Sequence, residues 1–253
     1  MAIHATGAVS SGVHVWRVDL DAPPALDPAA LPPAERERAA RLLLPLDRAR
    51  WLAGRVALRR VLARYLDEKP ERIELVLEGR GKPVLARRHP PIRFNLSHSG
   101  GLALVAVTAG REVGVDVEAK ESGRDFLRLA ELGLDAEAAT AVRDAPPEER
   151  GDVFYAAWVR HEAAVKCAGS GLGSPAPKRP MSIRDVDLGE GHAAAVAVAD
   201  SLHVEDQNDA GANAMLPLCQ TRPPGKVARL GAGKALALLS SVAASSAHTS
   251  SQS

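Results

Sequence analysis

Two strings of this chain carry acids and a base at spacings that could do chemistry: GVDVE, Gly114 to Glu118, and WVRHEAAVK, Trp158 to Lys166. Residues on one strand face recur every second position and on one helix face every fourth. Asp116 and Glu118 therefore align if the first string is a strand, and Glu162 and Lys166 align if the second is a helix. Three carboxylates and one ammonium could then face a common point. An all-oxygen cluster suits a hard dication such as Mg²⁺, which usually keeps several waters and a phosphate-bearing substrate in its shell. A lysine beside it suits phosphate chemistry. The plain alternatives are a polar edge-strand face for Asp116 and Glu118, and an i,i+4 pair worth about 0.2–0.5 kcal/mol on an exposed helix for Glu162 and Lys166. Trp158, on the same helix face, and the valines around Asp116 argue instead for partial burial.

Further upstream lie GKP, Gly81 to Pro83, and FNLSHSG, Phe94 to Gly100. Ser97 and His98 read as opening a Gly-flanked loop after a strand, where a hydroxyl, an imidazole and loop N–H groups can reach an anion. A basic stretch precedes them: residues 35–60 hold eight arginines, Arg38 and Arg50 among them, against three acids. Two tempting motifs fail. GAGKA at Gly231 lacks the first glycine and the hydroxyl residue of a phosphate-binding P-loop, and no G-x-S-x-G elbow is present for a serine hydrolase.

Taken in order, GKP, NLSHSG, GVDVE and WVRHEAAVK resemble the 4′-phosphopantetheinyl transferases of the surfactin-synthetase-activating type, over roughly residues 13–200. The resemblance implies transfer of the 4′-phosphopantetheine of coenzyme A to a serine of an apo acyl or peptidyl carrier protein, with release of 3′,5′-ADP. It implies that Asp116, Glu118 and Glu162 hold Mg²⁺, that Glu162 is also the base for the incoming serine, and that Lys166 neutralises the leaving group or the transferred phosphate. Ser97, His98 and Lys82 would contact the 3′-phosphate of coenzyme A, and Arg38 and Arg50 would serve the nucleotide. It implies a monomer that meets its acceptor through a small, transient interface. One position departs from the pattern: His161 stands where the family has a lysine, removing a permanent charge beside Glu162. That departure keeps a catalytically weak carrier-binding module open as a rival, and the carboxylates alone would also serve a metal-dependent phosphoesterase.

The elements that must position these residues follow from periodicity. Residues 13–20 alternate as a strand. A short helix is expected over residues 34–44, interrupted by Pro45, then a longer one capped by Asp47 and running to Leu66, with Trp51, Leu58, Leu62 and Tyr65 on one stripe. Strands are expected at Ile73–Leu77 and Ile92–Leu96, the latter ending in the SHSGG loop. Leu102–Val107 and Val113–Val117 read as a hairpin. Helical segments follow over 125–141 and 148–168, then strands at Ile183–Leu188 and Ala193–Ala199. Strand, helices, strands thus occurs twice, an α+β reading with halves at 1–105 and 106–205. The resemblance implies a pseudo-twofold pair of α/β subdomains with the active site between them. Residues 206–253, rich in Ser, Ala and Gly, read as a disordered tail.

Composition bounds the rest. With 253 residues and 46% hydrophobic content the chain can bury a sizeable core. A net charge of +1 gives no global field toward nucleic acid or membrane. Cys167 and Cys219 show neither disulfide nor zinc spacing. No run approaches the roughly 18 apolar residues of a membrane span, so the reading is cytoplasmic.

Overall fold

The structure, a computed structural model, describes residues 3–10, 12–21, 31–78, 82–86, 92–171, 174–175, 177 and 179–200. The expected tail and Cys219 lie outside the described residues. The architecture is mixed α/β. Strands β1 (Ile3–Ser10) and β2 (Val13–Asp19) lead into helices α1 (Pro33–Ala40) and α2 (Pro45–Leu66), then a short hairpin β3 (Leu75–Glu78) and β4 (Lys82–Leu85). Next come β5 (Ile92–Ser99), β6 (Leu102–Ala109) and β7 (Val113–Ala119), helices α3 (Phe126–Gly133), α4 (Ala136–Asp144) and α5 (Arg150–Ala168), and the closing pair β8 (Met181–Asp185) and β9 (His192–Ala199).

One antiparallel sheet has the order β1-β2-β6-β5 and another the order β7-β9-β8. Helix α2 covers the first: Ala53, Ala57, Leu58, Val61 and Leu62 pack on Val18, Phe94, Ala103, Val105 and Val107. The opposite face of that sheet, Val13, Val15, Leu104 and Ala106, meets Val113, Val115, Val117, Val196 and Val198 of the second. Strand β6 is thus buried on both sides, which is why residues 102–107 of it form an unbroken apolar run instead of an alternating one. The other face of the second sheet takes α5 through Val159, Ala163, Cys167, Ala195 and Ala197, small residues that permit close approach. Gly114 permits the closest: a Cβ there would lie 2.1 Å from the Ala163 carbonyl oxygen and 2.4 Å from the Cys167 nitrogen.

Several expectations are corrected. Residues 102–107 and 113–117 form no hairpin; β6 pairs with β2 and β5, while β7 pairs with β9, so the TAGRE link carries the chain between sheets. Valines on β7 gain more by covering the face of β6 than by extending its ladder. Asp47 does not cap α2, which starts two residues earlier with Pro45 in its first turn, where a missing N–H costs nothing. The helical stretch 125–141 is two helices, because the Asp135 side chain accepts from the Ala138 N–H and begins α4 afresh. Strand β1 was not foreseen, since its sequence, IHATGAVS, lacks an apolar alternation. Finally, Ser97 and His98 are not in a loop: β5 continues through Ser99, and they stand opposite Leu104 and Ala103 in the ladder.

Candidate functional site

Strand β7 alternates valines toward the inter-sheet core with Asp116 and Glu118 toward α5, and both acids are buried. Helix α5 brings Glu162, also fully buried, and Lys166 one turn further on. Because Gly114 and Ala163 let the two backbones nearly touch, these short-stemmed acids can share one space. The third wall is β5. It makes no backbone ladder with β7, and its alternate residues bridge the gap with side chains instead. The Val115 N–H donates to Asn95 Oδ1 at 2.9 Å, Ser97 Oγ donates to Asp116 Oδ1 at 2.9 Å, and Ser99 Oγ donates to Glu118 Oε2 at 2.9 Å while accepting from the Ala119 N–H at 3.0 Å. Lys166 Nζ donates to Asp116 Oδ1 at 2.5 Å and to Ser97 Oγ at 3.0 Å.

Charge in this pocket does not balance. One ammonium faces three carboxylates, and four buried oxygens have no hydrogen-bond partner: Asp116 Oδ2, Glu118 Oε1 and both oxygens of Glu162. Burial disfavours the ionised forms, and each acid also feels its neighbours. Burial, then the charge of Asp116, pushes Glu118 up to about 8 and Glu162 up to about 7. Burial raises Asp116 too, against the pull of Lys166. Such oxygens want a proton or a cation. Among the described residues no group of three or more His, Cys, Asp or Glu side chains is arranged as a ready-made metal cage. Mg²⁺ seldom needs one, since one or two carboxylates with water and phosphate suffice. The unpartnered oxygens therefore fit a hard cation.

The residues read from the sequence for the nucleotide are more dispersed. Lys82 Nζ is bound to Glu112 Oε2 at 3.0 Å and to the carbonyls of Val113 and Lys166 at 3.4 Å; Arg93 holds the other Glu112 oxygen at 2.8 Å. Burial of Glu112 opposes its ionisation, but these two cations more than offset that and lower its pKa. Lys82, Arg93 and Glu112 border a shallow groove with Val84, Ile92 and Phe94. Ser97 is buried in the carboxylate cluster, whereas His98, next along the strand, is exposed on the other side. Arg50 makes a bidentate pair with Asp21 at 2.7 and 2.8 Å. Arg38 and Arg55 lie over the Trp51 ring, 5.8 and 5.6 Å from its centroid. Asn95 and Ser99 were missed as site residues. Their signal was legible: polar groups at 95, 97 and 99 alternating with Phe94 and Leu96 form one polar strand face. His161 stacks on Trp158, with ring centroids 6.2 Å apart, and burial lowers its pKa, partly opposed by Ser174 and Asp135. It is thus a mostly neutral ring at pH 7, less charged than an unperturbed imidazole would be.

Comparison with known proteins decides the family. Residues 25–110 match the family described as 4′-phosphopantetheinyl transferase, N-terminal, and residues 112–210 match the 4′-phosphopantetheinyl transferase superfamily. The chain is 37% identical over 169 residues to the 4′-phosphopantetheinyl transferase HetI of a Nostoc species, covering 65% of this chain and 71% of that protein. The chain belongs to the 4′-phosphopantetheinyl transferase superfamily. A phosphopantetheinyl transferase of a Thraustochytrium species is 34% identical over 163 residues, covering 57% of this chain and 54% of its own length. The L-aminoadipate-semialdehyde dehydrogenase-phosphopantetheinyl transferase of Xenopus laevis is 32% identical over 151 residues, 56% of this chain and 50% of that protein. The chain thus spans only about half the length of these two superfamily members. All four motifs, and the carboxylate cluster with them, fall inside the two matched segments. No helix among the described residues is long and apolar enough to cross a membrane.

Proposed function

We propose that this superfamily member transfers the 4′-phosphopantetheine of coenzyme A to a serine of an apo carrier protein, and that Asp116, Glu118 and Glu162 hold the Mg²⁺ that supports the reaction. The observation that carries the reading is the set of four unpartnered carboxylate oxygens beside Lys166. Bound there, Mg²⁺ would supply neutralisation of the pyrophosphate. Glu162 has both oxygens without a hydrogen-bond partner, so one can hold the cation while the other is left to act as a general base. It accepts the proton of the acceptor hydroxyl as that oxygen attacks the phosphorus bearing the pantetheine arm; the phosphoanhydride bond breaks and 3′,5′-ADP departs. Ser97 and Ser99 hold Asp116 and Glu118 in place, and the Lys166 ammonium, on a long flexible stem, can turn from Asp116 to a phosphate oxygen. Charge placement of this kind supplies most of the acceleration in phosphoryl transfer.

The finer reading is a monomeric, cytoplasmic enzyme of the surfactin-synthetase-activating type, with halves at 1–105 and 106–205 related by a pseudo-twofold axis. Its support is that each antiparallel sheet carries one long helix, α2 or α5, on its outer face, with the 105/106 boundary falling inside β6. In the same reading Lys82, His98, Ser97, Arg38 and Arg50 serve the coenzyme A nucleotide, Lys82 from the groove beside Glu112. The test is intact-mass analysis of a panel of apo carrier proteins incubated with the chain, coenzyme A and Mg²⁺. Gain of one phosphopantetheine arm is the expected result. Free phosphopantetheine formed without any acceptor would mark a phosphoesterase, and binding without mass gain would mark a carrier-binding module.

A further inference from the structure

The turn joining α1 to α2, with the first residues of α2, carries the three most exposed large apolar residues described: Leu43, Leu44 and Leu46 are 94%, 63% and 54% exposed. Adjacent leucines left so open on a soluble surface mark a place where something binds. Their surroundings are basic. Between residues 38 and 54 there are four arginines and a single acid, Asp47. Arg48 donates to the Ala40 and Leu42 carbonyls at 3.3 and 3.0 Å, closing the end of α1 and framing the leucines with its guanidinium. Among the described residues no carboxylate forms an ion pair with Arg41 or Arg48.

A chain of contacts ties this turn to the reacting end of the molecule. Leu46 and Arg50 share a face of α2, four residues apart, and Arg50 clamps Asp21. Asp21 presses on the β5–β6 turn so closely that a Cβ on Gly101 would lie 2.2 Å from its Oδ2, and the Leu20 N–H donates to the Gly101 carbonyl at 2.7 Å. Two residues before Gly101 stands Ser99, which holds Glu118. Charge selects the occupant. The chain's own apolar stretch outside the described residues, 226–243, carries Lys226, Arg229 and Lys234 and no acid, so it would repel the turn. A second copy would set the same arginines against themselves.

We propose that the Leu43–Leu44–Leu46 turn is a docking point for an acidic surface with an apolar patch on the acceptor carrier protein, a proposal that rests on the transferase reading. The leucines hold the acceptor, and Arg41 and Arg48 steer it. The experiment uses the full chain and reads the KM for carrier protein, the KM for coenzyme A and the thermal midpoint. The double substitution Leu43→Ser/Leu44→Ser should raise the carrier KM about tenfold or more, the loss typical of a central apolar anchor, with the coenzyme A KM and the midpoint nearly unchanged. Arg41→Glu should raise the same KM and weaken its salt dependence. An unchanged carrier KM in both variants overturns the proposal. So does an apolar dye that binds the turn only after truncation beyond Asp206, which would assign it to the tail, or a wild-type dimer broken by the leucine substitutions, which would assign it to a second copy. If the wild type transfers nothing, the transferase reading fails separately; calorimetric binding of a carrier whose acceptor serine is alanine still tests the turn, and equal affinity for wild type and the leucine variant overturns it.

Discussion

Two ionic clusters in this chain are inverted versions of each other. Where α1 meets α2, one carboxylate, Glu35, sits between two guanidiniums: Arg55 Nε donates to Oε1 at 2.8 Å and Arg59 Nη1 to Oε2 at 2.7 Å. Where β7 meets α5, one ammonium faces three carboxylates. The carboxylate cluster is buried and the guanidinium cluster partly so, and both are unbalanced, but the excess charge has different ways out. Burial lowers the pKa of Arg59 against the pull of Glu35, yet a guanidinium stays protonated at any ordinary pH, so the positive excess is permanent. The carboxylates can take up protons instead, and burial has already moved them far enough to do so near neutrality. A fixed excess serves as a structural clamp; an adjustable one suits a site that must exchange protons and cations during a reaction.

That contrast breaks first at Glu35. Glu35→Ala leaves Arg59, 3% exposed, without its partner, and removing one member of a buried pair costs about 3–5 kcal/mol. Chemical denaturation should show that loss; a loss under about 1 kcal/mol would show that solvent replaces the carboxylate. The catalytic cluster should respond in rate more than in stability. Glu162→Gln removes the base and replaces one of its two unpartnered oxygens by an amide NH₂, so transfer should fall by about 10²-fold or more while the thermal midpoint holds or rises. Near-normal turnover would take the base assignment away from Glu162.

A smaller effect sharpens the adjustable side. Glu118 and Glu162 bind protons more tightly folded than unfolded, so the native chain holds protons that the unfolded chain has released between about pH 4.5 and 7 to 8. Stability present at low pH should therefore decline as pH rises through that window. Thermal midpoints at pH 5, 6.5 and 8 should fall in that order without metal, and Mg²⁺ should restore most of the loss at pH 8. A midpoint that rises with pH would mean the carboxylates enter the fold ionised. The smallest effect concerns His161. As a neutral ring on Trp158 it adds no charge, so His161→Gln should leave rates at pH 7 to 9 within about twofold of the wild type, and His161→Lys should change the metal or acceptor KM before it changes kcat. A steep fall in the glutamine variant at pH 8 would give the imidazole a direct part.

The carboxylate side was readable from the sequence because alternation and the four-residue helical repeat fix facing directions without reference to anything distant. Asp116, Glu118, Glu162 and Lys166 converge as their spacing required. What spacing cannot carry is partner choice between strands. Val113–Val117 follows Leu102–Val107 by a short link, and proximity in sequence suggested a hairpin; the gain from burying both faces of β6 decided otherwise. The same blindness misplaced Ser97. Glycines after it suggested a loop, yet both serines lie on a strand whose neighbour across the seam is joined by side chains alone, a contact with no periodic signature. The basic helices were visible as composition, while the pairing of Arg50 with Asp21, 29 residues apart, was not.

Gly114 gives the reacting groups a ruler made of main chain. Where a strand and a helix are separated by interlocking side chains, the gap between them breathes as rotamers change and differs from one sequence to the next. Here the Ala163 carbonyl and the Cys167 nitrogen would touch anything larger than hydrogen, so the gap is set by the thickness of two backbones. Peptide dimensions do not vary with temperature, ligand or mutation elsewhere. The distance over which the acids of β7 and the base on α5 must cooperate is therefore calibrated by the stiffest part available to a protein, and even a single methyl group at position 114 would recalibrate it.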